Sequence, residues 1–254
     1  MAHSPHGKVG VIVPAAGRGR RLGGHRKQFR VLGGKSVLVQ TLLVFERHRS
    51  VDHIVVATPG EAVDPLTVEL RRVGISKLHG VVSGGKTRQE SVRAALDALP
   101  EDVDVVLIHD AVRPFVRHDR VGAIIDAVRS RGAASLAVAV ADTLRRSEGD
   151  RFTETVPRES LCRMQTPQGF RRDWIVDAHE RAASEDYRAT DDVDLVLRTG
   201  KDVVRVEGSV ENVKITTPAD WELATRFWDT WESVVAEELR EQIVVDETGW
   251  APRA

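Results

Sequence analysis

Five short apolar runs, rich in valine, isoleucine and leucine, recur along the chain at 9–13, 53–57, 78–83, 103–109 and 134–140. Longer segments with helical spacing of apolar positions separate the first four and precede the fifth. Strands alternating with helices in this way predict an α/β fold, a mostly parallel sheet covered by helices on both faces. Capping signals place several helix starts. Ser36 opens the segment carrying Val37, Leu38, Leu42 and Phe45, and Thr87-Arg88-Gln89-Glu90 has the form of a capping box ahead of Val92, Ala95 and Leu96. Near the other end, Thr217-Pro218-Ala219-Asp220 offers an N-cap, a proline at the first helical position and an acid in the first turn.

The rhythm changes over 142–166, where polar and charged residues surround the turn signal Gly149-Asp150 and lead into Phe152, Thr153, Thr155 and Val156. This pattern predicts a β-hairpin projecting from the sheet. A hairpin of that size is marginal alone, so a partner surface is expected and the segment reads as a dimerisation arm. The organisation predicted is a disordered stretch at 1–7, one domain over 8–228, and an acidic tail over 229–254 that begins helical and ends disordered.

Composition narrows the classes of partner. With 37 basic and 38 acidic side chains in 254 residues the formal net charge is -1, so no global field calls for nucleic acid. A single cysteine, Cys162, excludes an internal disulfide framework and a cysteine-built zinc site. The first residues, MAHSPHGK, carry no hydrophobic signal core, and no apolar run approaches the ~20 residues needed to span a bilayer. The expectation is a soluble, cytoplasmic protein that binds neither membrane nor nucleic acid.

The candidate chemistry concentrates in VGVIVPAAGRGRRLGGHRK, residues 9–27. A buried strand breaks at Pro14 and delivers a loop of small residues to the sheet edge, where backbone N–H groups freed by Gly17 and Gly19 suit an anion and four cationic side chains, Arg18, Arg20, Arg21 and Lys27, suit phosphate oxygens. Polyphosphate binding is predicted. Two alternatives start from glycine motifs. Residues 80–87, GVVSGGKT, match the Walker A pattern of a P-loop NTPase, with Asp110 after an apolar run as its acid; yet Val81 and Val82 read as part of the preceding strand. The dinucleotide fingerprint fails by one residue, because Gly17, Gly19 and Gly23 give G-x-G-x-x-x-G.

Six segments taken together are more specific than any of these motifs: PAAGRGRR from Pro14, Lys27-Gln28-Phe29, Gly84-Gly85 with Arg88, Ser91 and Val92, His109-Asp110-Ala111-Val112-Arg113-Pro114, Thr166-Pro167-Gln168-Gly169-Phe170, and Asn212-Val213-Lys214-Ile215-Thr216. In order and spacing they resemble the 2-C-methyl-D-erythritol 4-phosphate cytidylyltransferase family from about Lys8 to Trp228. The resemblance implies a Rossmann-like nucleotidyltransferase that transfers CMP from CTP to a polyol phosphate with Mg2+, as a homodimer. It implies catalytic roles for Arg21, Lys27 and Lys214. Nucleotide binding falls to Pro14, Ala15, Ala16, Gly17, Gly19, Gly85, Ser91 and Asp110, with Gly85 and Ser91 at the cytosine. Arg113, Thr143, Thr166 and Thr190 surround the acceptor, and Arg158 on the arm reaches the neighbouring subunit's site. The metal is carried mainly by the CTP phosphates, with Asp110 nearby. A dianionic acceptor phosphate needs no general base, so cations and a metal suffice for in-line attack. Two departures from the family pattern stand out: Arg26 replaces the usual proline before Lys27, and Lys86 replaces the acid that commonly follows the paired glycines. The rival readings are a ribitol-5-phosphate cytidylyltransferase and a non-catalytic nucleotide-binding protein.

Overall fold

A computed structural model describes residues 7–17 and 27–248, with side chains through 238 and at 240. Gly19 and Arg21, together with Arg18, Arg20 and Arg26, lie outside the described residues.

The central sheet is built from seven strands. In chain order they are β1 (Lys8–Pro14), β4 (His53–Thr58), β5 (Leu78–Ser83), β6 (Val103–Ile108), β7 (Ala133–Ala139), β10 (Cys162–Arg171) and β11 (Val204–Glu207). Two short strands, β2 (Val31–Leu32) and β3 (Lys35–Ser36), pair with each other, as do β8 (Leu144–Glu148) and β9 (Arg151–Val156). The sheet order is β11-β7-β10-β6-β1-β4-β5, parallel throughout except for β10, which runs antiparallel to both neighbours.

Alternation along the strands assigns the two faces. Val9, Val11 and Val13 of β1 join a core against α1 (Val37–Arg47), α2 (Val63–Arg72) and α4 (His118–Arg131), while Ile12 joins the opposite core against α3 (Arg88–Asp97), α5 (Arg172–Ser184) and α6 (Asp192–Arg198). The caps form where predicted. Ser36 accepts from Val39 N–H, Thr87 from Glu90 N–H and Thr217 from Asp220 N–H.

The first four apolar runs are strands at nearly the predicted bounds, and the fifth is shifted by one residue. Gly80–Ser83 pairs with β4, Gly80 opposite Val55 and Ser83 opposite Thr58, so the first glycine of the Walker-like motif is a strand residue and no phosphate cradle follows it. The expected hairpin is β8–β9, turning at Gly149-Asp150, with Phe152 at its surface 78% exposed. It ends at Val156. The later part of the expected arm is β10, inside the main sheet, and it went unread because three of its buried side chains, Gln165, Thr166 and Gln168, are polar and only Phe170 beyond them packs in an apolar core.

A third cluster lies at one end, where Leu32, Val37, Val112 and Phe115 meet Ile215 and the long helix α7 (Pro218–Thr248) through Ala224, Trp228 and Trp231. Gly33, at φ +56°, allows this docking, since a Cβ there would fall 1.9 Å from the Trp228 ring nitrogen. The tail boundary drawn after 228 therefore falls within α7, with Trp231 only 2% exposed beyond it. Among the described residues, no helix is long and apolar enough to cross a membrane.

Candidate active site

The carboxyl ends of β1, β5 and β6 face a cleft of about 1090 Å3, which Lys27, Glu61 and Lys214 also line. In open α/β sheets this edge is where ligands bind. The loop after β1 is shaped by an amide side chain. Ala15 N–H extends the ladder to the Ala57 carbonyl, and buried Gln28 then donates from Nε2 to the carbonyls of Ala15 (2.7 Å) and Gly17 (3.2 Å). Both carbonyl dipoles are held on the Gln28 side, which lowers their repulsion toward an anion at the loop. Lys27, immediately before Gln28, opens the short 3-10 turn Lys27–Phe29 and projects into the same cleft.

The turn between β5 and α3 forms a second wall. Gly84 donates to the Thr58 carbonyl and packs so tightly that a Cβ would lie 2.6 Å from the Ala16 Cβ and 2.8 Å from the Ser91 Oγ. Gly85 is equally confined, its Cβ position lying 2.3 Å from the Glu90 Cβ. The Glu90 carboxylate accepts from Lys86 N–H at 2.6 Å, one residue earlier than an ordinary capping box, and fixes the turn in front of the helix. Ser91, buried, donates its hydroxyl to the Thr87 carbonyl at 2.8 Å. Its oxygen retains acceptor lone pairs.

Charge gathers on Asp110, just past β6 and only 7% exposed. Oδ1 pairs with Arg88 Nε at 3.3 Å, and Oδ2 with Lys214 Nζ at 3.0 Å and Arg113 Nε at 3.2 Å. Burial alone would raise this carboxyl, but Arg88, Lys214 and Arg113 together hold it well below the usual carboxylate range. Arg88 spans two carboxylates, since NH1 also pairs with Asp192 Oδ2 at 2.6 Å, and against the effect of burial its guanidinium is raised. Arg113, with one carboxylate, is pushed down by burial.

Behind Asp110 a buried relay fixes the loop. Asp110 N–H donates to Thr166 Oγ1 (3.1 Å), Thr166 donates to His109 Nδ1 (3.0 Å), and His109 Nε2 donates to the Arg113 carbonyl (3.0 Å). That assignment requires a neutral imidazole protonated on Nε2, and burial, which pushes His109 down to about 4, agrees with it. Asn212 donates to the Thr166 carbonyl, Arg113 NH1 to the Asn212 carbonyl (2.7 Å), and Gln165 to the Ser209 carbonyl (2.7 Å). Ile215 N–H donates to the Val112 carbonyl. These bonds bring Lys214, from the far end of the chain, to the cleft wall, with its side chain 42% exposed.

Of the predicted residues, Pro14, Ala15, Ala16, Gly17, Lys27, Gly85, Ser91, Asp110 and Lys214 line one cleft. Arg113 and Thr166 stand behind it as buried supports. Thr143 and Arg158 are exposed at the base of the hairpin, where Arg158 donates to the Ala141 carbonyl, and Thr190 is exposed ahead of α6. Single-sequence reading missed Gln28, Gly84, His109, Gln165, Asn212 and Asp192 as parts of the site. Their one available signal was membership of the quoted motifs, which held all but Gln165 and Asp192. Among the described residues, no group of three or more His, Cys, Asp or Glu side chains could hold a metal ion.

The chain is similar to known proteins along most of its length. The family model described as IspD, 2-C-methyl-D-erythritol 4-phosphate cytidylyltransferase, matches residues 9–229. A 2-C-methyl-D-erythritol 4-phosphate cytidylyltransferase of Salinibacter ruber is 57% identical over 223 residues, covering 88% of this chain and 94% of that protein. The crystal structure of the enzyme of that name from Thermus thermophilus is similar with a TM-score of 0.75 and 36% identity, covering 87% of this chain and 99% of the other. The 4-diphosphocytidyl-2C-methyl-D-erythritol synthase of Anaerococcus prevotii gives a TM-score of 0.77 at 29% identity over 87% and 96%.

Proposed function

The chain belongs to the 2-C-methyl-D-erythritol 4-phosphate cytidylyltransferase family, and we propose that its cleft performs that transfer. CMP passes from CTP to 2-C-methyl-D-erythritol 4-phosphate, releasing pyrophosphate and giving 4-diphosphocytidyl-2-C-methyl-D-erythritol, a step of non-mevalonate isoprenoid biosynthesis. One observation carries the reading: the small-residue loop, Lys27, the paired-glycine turn and the Asp110–Lys214 pair converge on one cleft although they come from four distant parts of the chain.

The acceptor phosphate, with a second pKa of about 6, attacks the α-phosphate as a dianion. The task of the protein is then to hold two anions in line and neutralise charge on the α-phosphate and the departing pyrophosphate. Lys27 and Lys214 supply cations from two sides of the cleft, and Arg21 a third. Asp110 holds the Lys214 ammonium in place. The loop Ala15-Ala16-Gly17 wraps the triphosphate by its backbone. Ser91, whose hydroxyl donates to the Thr87 carbonyl, accepts from the cytosine amino group beside Gly85. This selects cytosine over uracil.

The donor set fits a Mg2+ carried by the nucleotide better than one held by a protein cage. Asp110 Oδ1 accepts one contact from Arg88 and so keeps a lone pair for such an ion. When bound, the ion neutralises phosphate charge. The acceptor lies toward Thr190 and Thr143. The hairpin pairs two chains, and Arg158 enters the partner subunit's site.

Pyrophosphate release with each nucleoside triphosphate, with and without methylerythritol phosphate, tests the reading. Release that requires CTP and that acceptor together is expected. A higher specificity constant for ribitol 5-phosphate overturns the choice of acceptor.

A further inference from the structure

The first turn of α3 touches both halves of the proposed site. Thr87 and Ser91 line the nucleotide cleft. Arg88, which also lines the cleft, reaches from Asp110 to Asp192, and Gln89 grips the segment that carries Thr190. Gln89 Nε2 donates to the Tyr187 carbonyl and its Oε1 accepts from Ala189 N–H, both at 3.1 Å. Arg88 closes the other end on Asp192.

Asp192 is 1% exposed, a carboxylate taken entirely out of water. Its backbone N–H donates to Gln168 Oε1 at 3.1 Å, and Gln168 Nε2 donates to Asp191 Oδ2 at 2.8 Å. Arg88 is its short charged partner, and His179 Nε2 stands further off at 3.8 Å. Burying an ion is costly unless it is paired in good geometry, and an apolar pair would commonly serve stability equally well. Here the pair joins two segments. From Asp192 a continuous line of charged contacts runs through Arg88 to Asp110 and on to Lys214.

We infer that Asp192 is a positioning residue for the transfer: through Arg88 it sets the Asp110 carboxylate, and thus the Lys214 ammonium, in register with the acceptor segment at Thr190. The inference rests on the proposed function. Without the Asp192 charge, Arg88 has Asp110 as its one carboxylate and draws it away from Lys214.

The test uses full-length protein, CTP and methylerythritol phosphate. Wild-type turnover is measured first, because its absence would defeat the functional proposal, whereas normal wild-type turnover with an unaffected Asp192→Asn variant would defeat the positioning role alone. Asp192→Asn is expected to lower kcat about tenfold, equivalent to ~1.4 kcal/mol of barrier. CTP affinity, measured by calorimetry without acceptor, should stay within about threefold, and Asp192→Glu should recover part of kcat. Should Asp192→Asn fail to fold, Arg88→Met/Asp192→Leu removes both charges in an apolar pair and should fold while still losing turnover. In a double-mutant cycle the losses of Arg88→Met and Asp192→Asn should not add. Unchanged kcat in a folded variant, additive losses, or CTP binding that collapses in parallel with kcat would each refute the positioning role.

Discussion

Replacing Gly84 with alanine adds one methyl group where two site loops come closest. The new carbon would sit 2.6 Å from the Ala16 Cβ and 2.8 Å from the Ser91 Oγ. Carbon atoms settle about 3.5–4.0 Å apart, so a gap of roughly 1 Å must open. Neither neighbour can swing aside, because a Cβ moves only with its backbone and Ser91 Oγ is bonded to the Thr87 carbonyl. The relief must come from the loop after β1 or the start of α3, both of which line the nucleotide cleft. Overpacking of this kind costs about 1–3 kcal/mol of stability, and misplacing a binding loop by about 1 Å can cost on the order of 100-fold in rate. Gly80→Ala is the matched control, since a Cβ there meets nothing within 4 Å and the residue lies in β5 outside the cleft. CTP calorimetry and pyrophosphate release on both variants should show at least about a tenfold loss for Gly84→Ala and wild-type values for Gly80→Ala. Normal CTP affinity in Gly84→Ala would refute the packing argument, and lost affinity in Gly80→Ala would restore the Walker-type reading.

Lys27→Ala should nearly abolish turnover with the fold intact, as judged by circular dichroism, and near-normal turnover would remove Lys27 from the mechanism. Mixing Lys27→Ala chains with Arg158→Ala chains should restore activity toward roughly a quarter of wild type, because a mixed dimer regains one complete site; a mixture no more active than its components would place Arg158 in its own subunit's site or in none. Stability should fall as pH drops from about 6.5 toward 4. Burial pushes His48, His109 and His118 each down to about 4, so the unfolded chain binds more protons across that window and unfolding is favoured as acid is added. Asp110 and Asp192, held low by Arg88 against the effect of burial, extend the loss below the ordinary carboxylate range. Urea midpoints at pH 7.5, 6 and 5 check the upper window, and a flat series would contradict it.

The elements legible in the sequence were those that repeat. β1, β4, β5 and β6 announce themselves by apolar runs, and Ser36, Thr87 and Thr217 mark their helices by local capping chemistry. β10 escaped because Gln165, Thr166 and Gln168, buried ahead of Phe170, satisfy polar partners elsewhere and break its apolar pattern. The roles of Gln28, Gln165 and Asn212 were hidden for a related reason: each is an amide whose partners lie 11 to 47 positions away, and no local spacing encodes such a bond. The cations were legible as residue types. That Lys214, Arg113 and Arg88 meet on one carboxylate depends on the chain's path through the sheet. Beyond 228 the acidic composition pointed to a tail, yet the two tryptophans at 228 and 231, spaced for one helix face, decide how α7 packs.

β10 also has a bearing on how activity is acquired. β6 and β7 are consecutive in the central sheet's chain order but leave a slot between them that β10 alone fills. The strand that closes the slot carries Thr166 and Gln168, whose side chains fix the Asp110 loop and the start of α6. A refolding chain that has made the six other strands of the central sheet therefore holds two half-sheets and no competent centre. Closing the sheet and assembling the enzyme are one cooperative event. Catalysis should return on refolding together with the deepest amide-exchange protection, and no earlier.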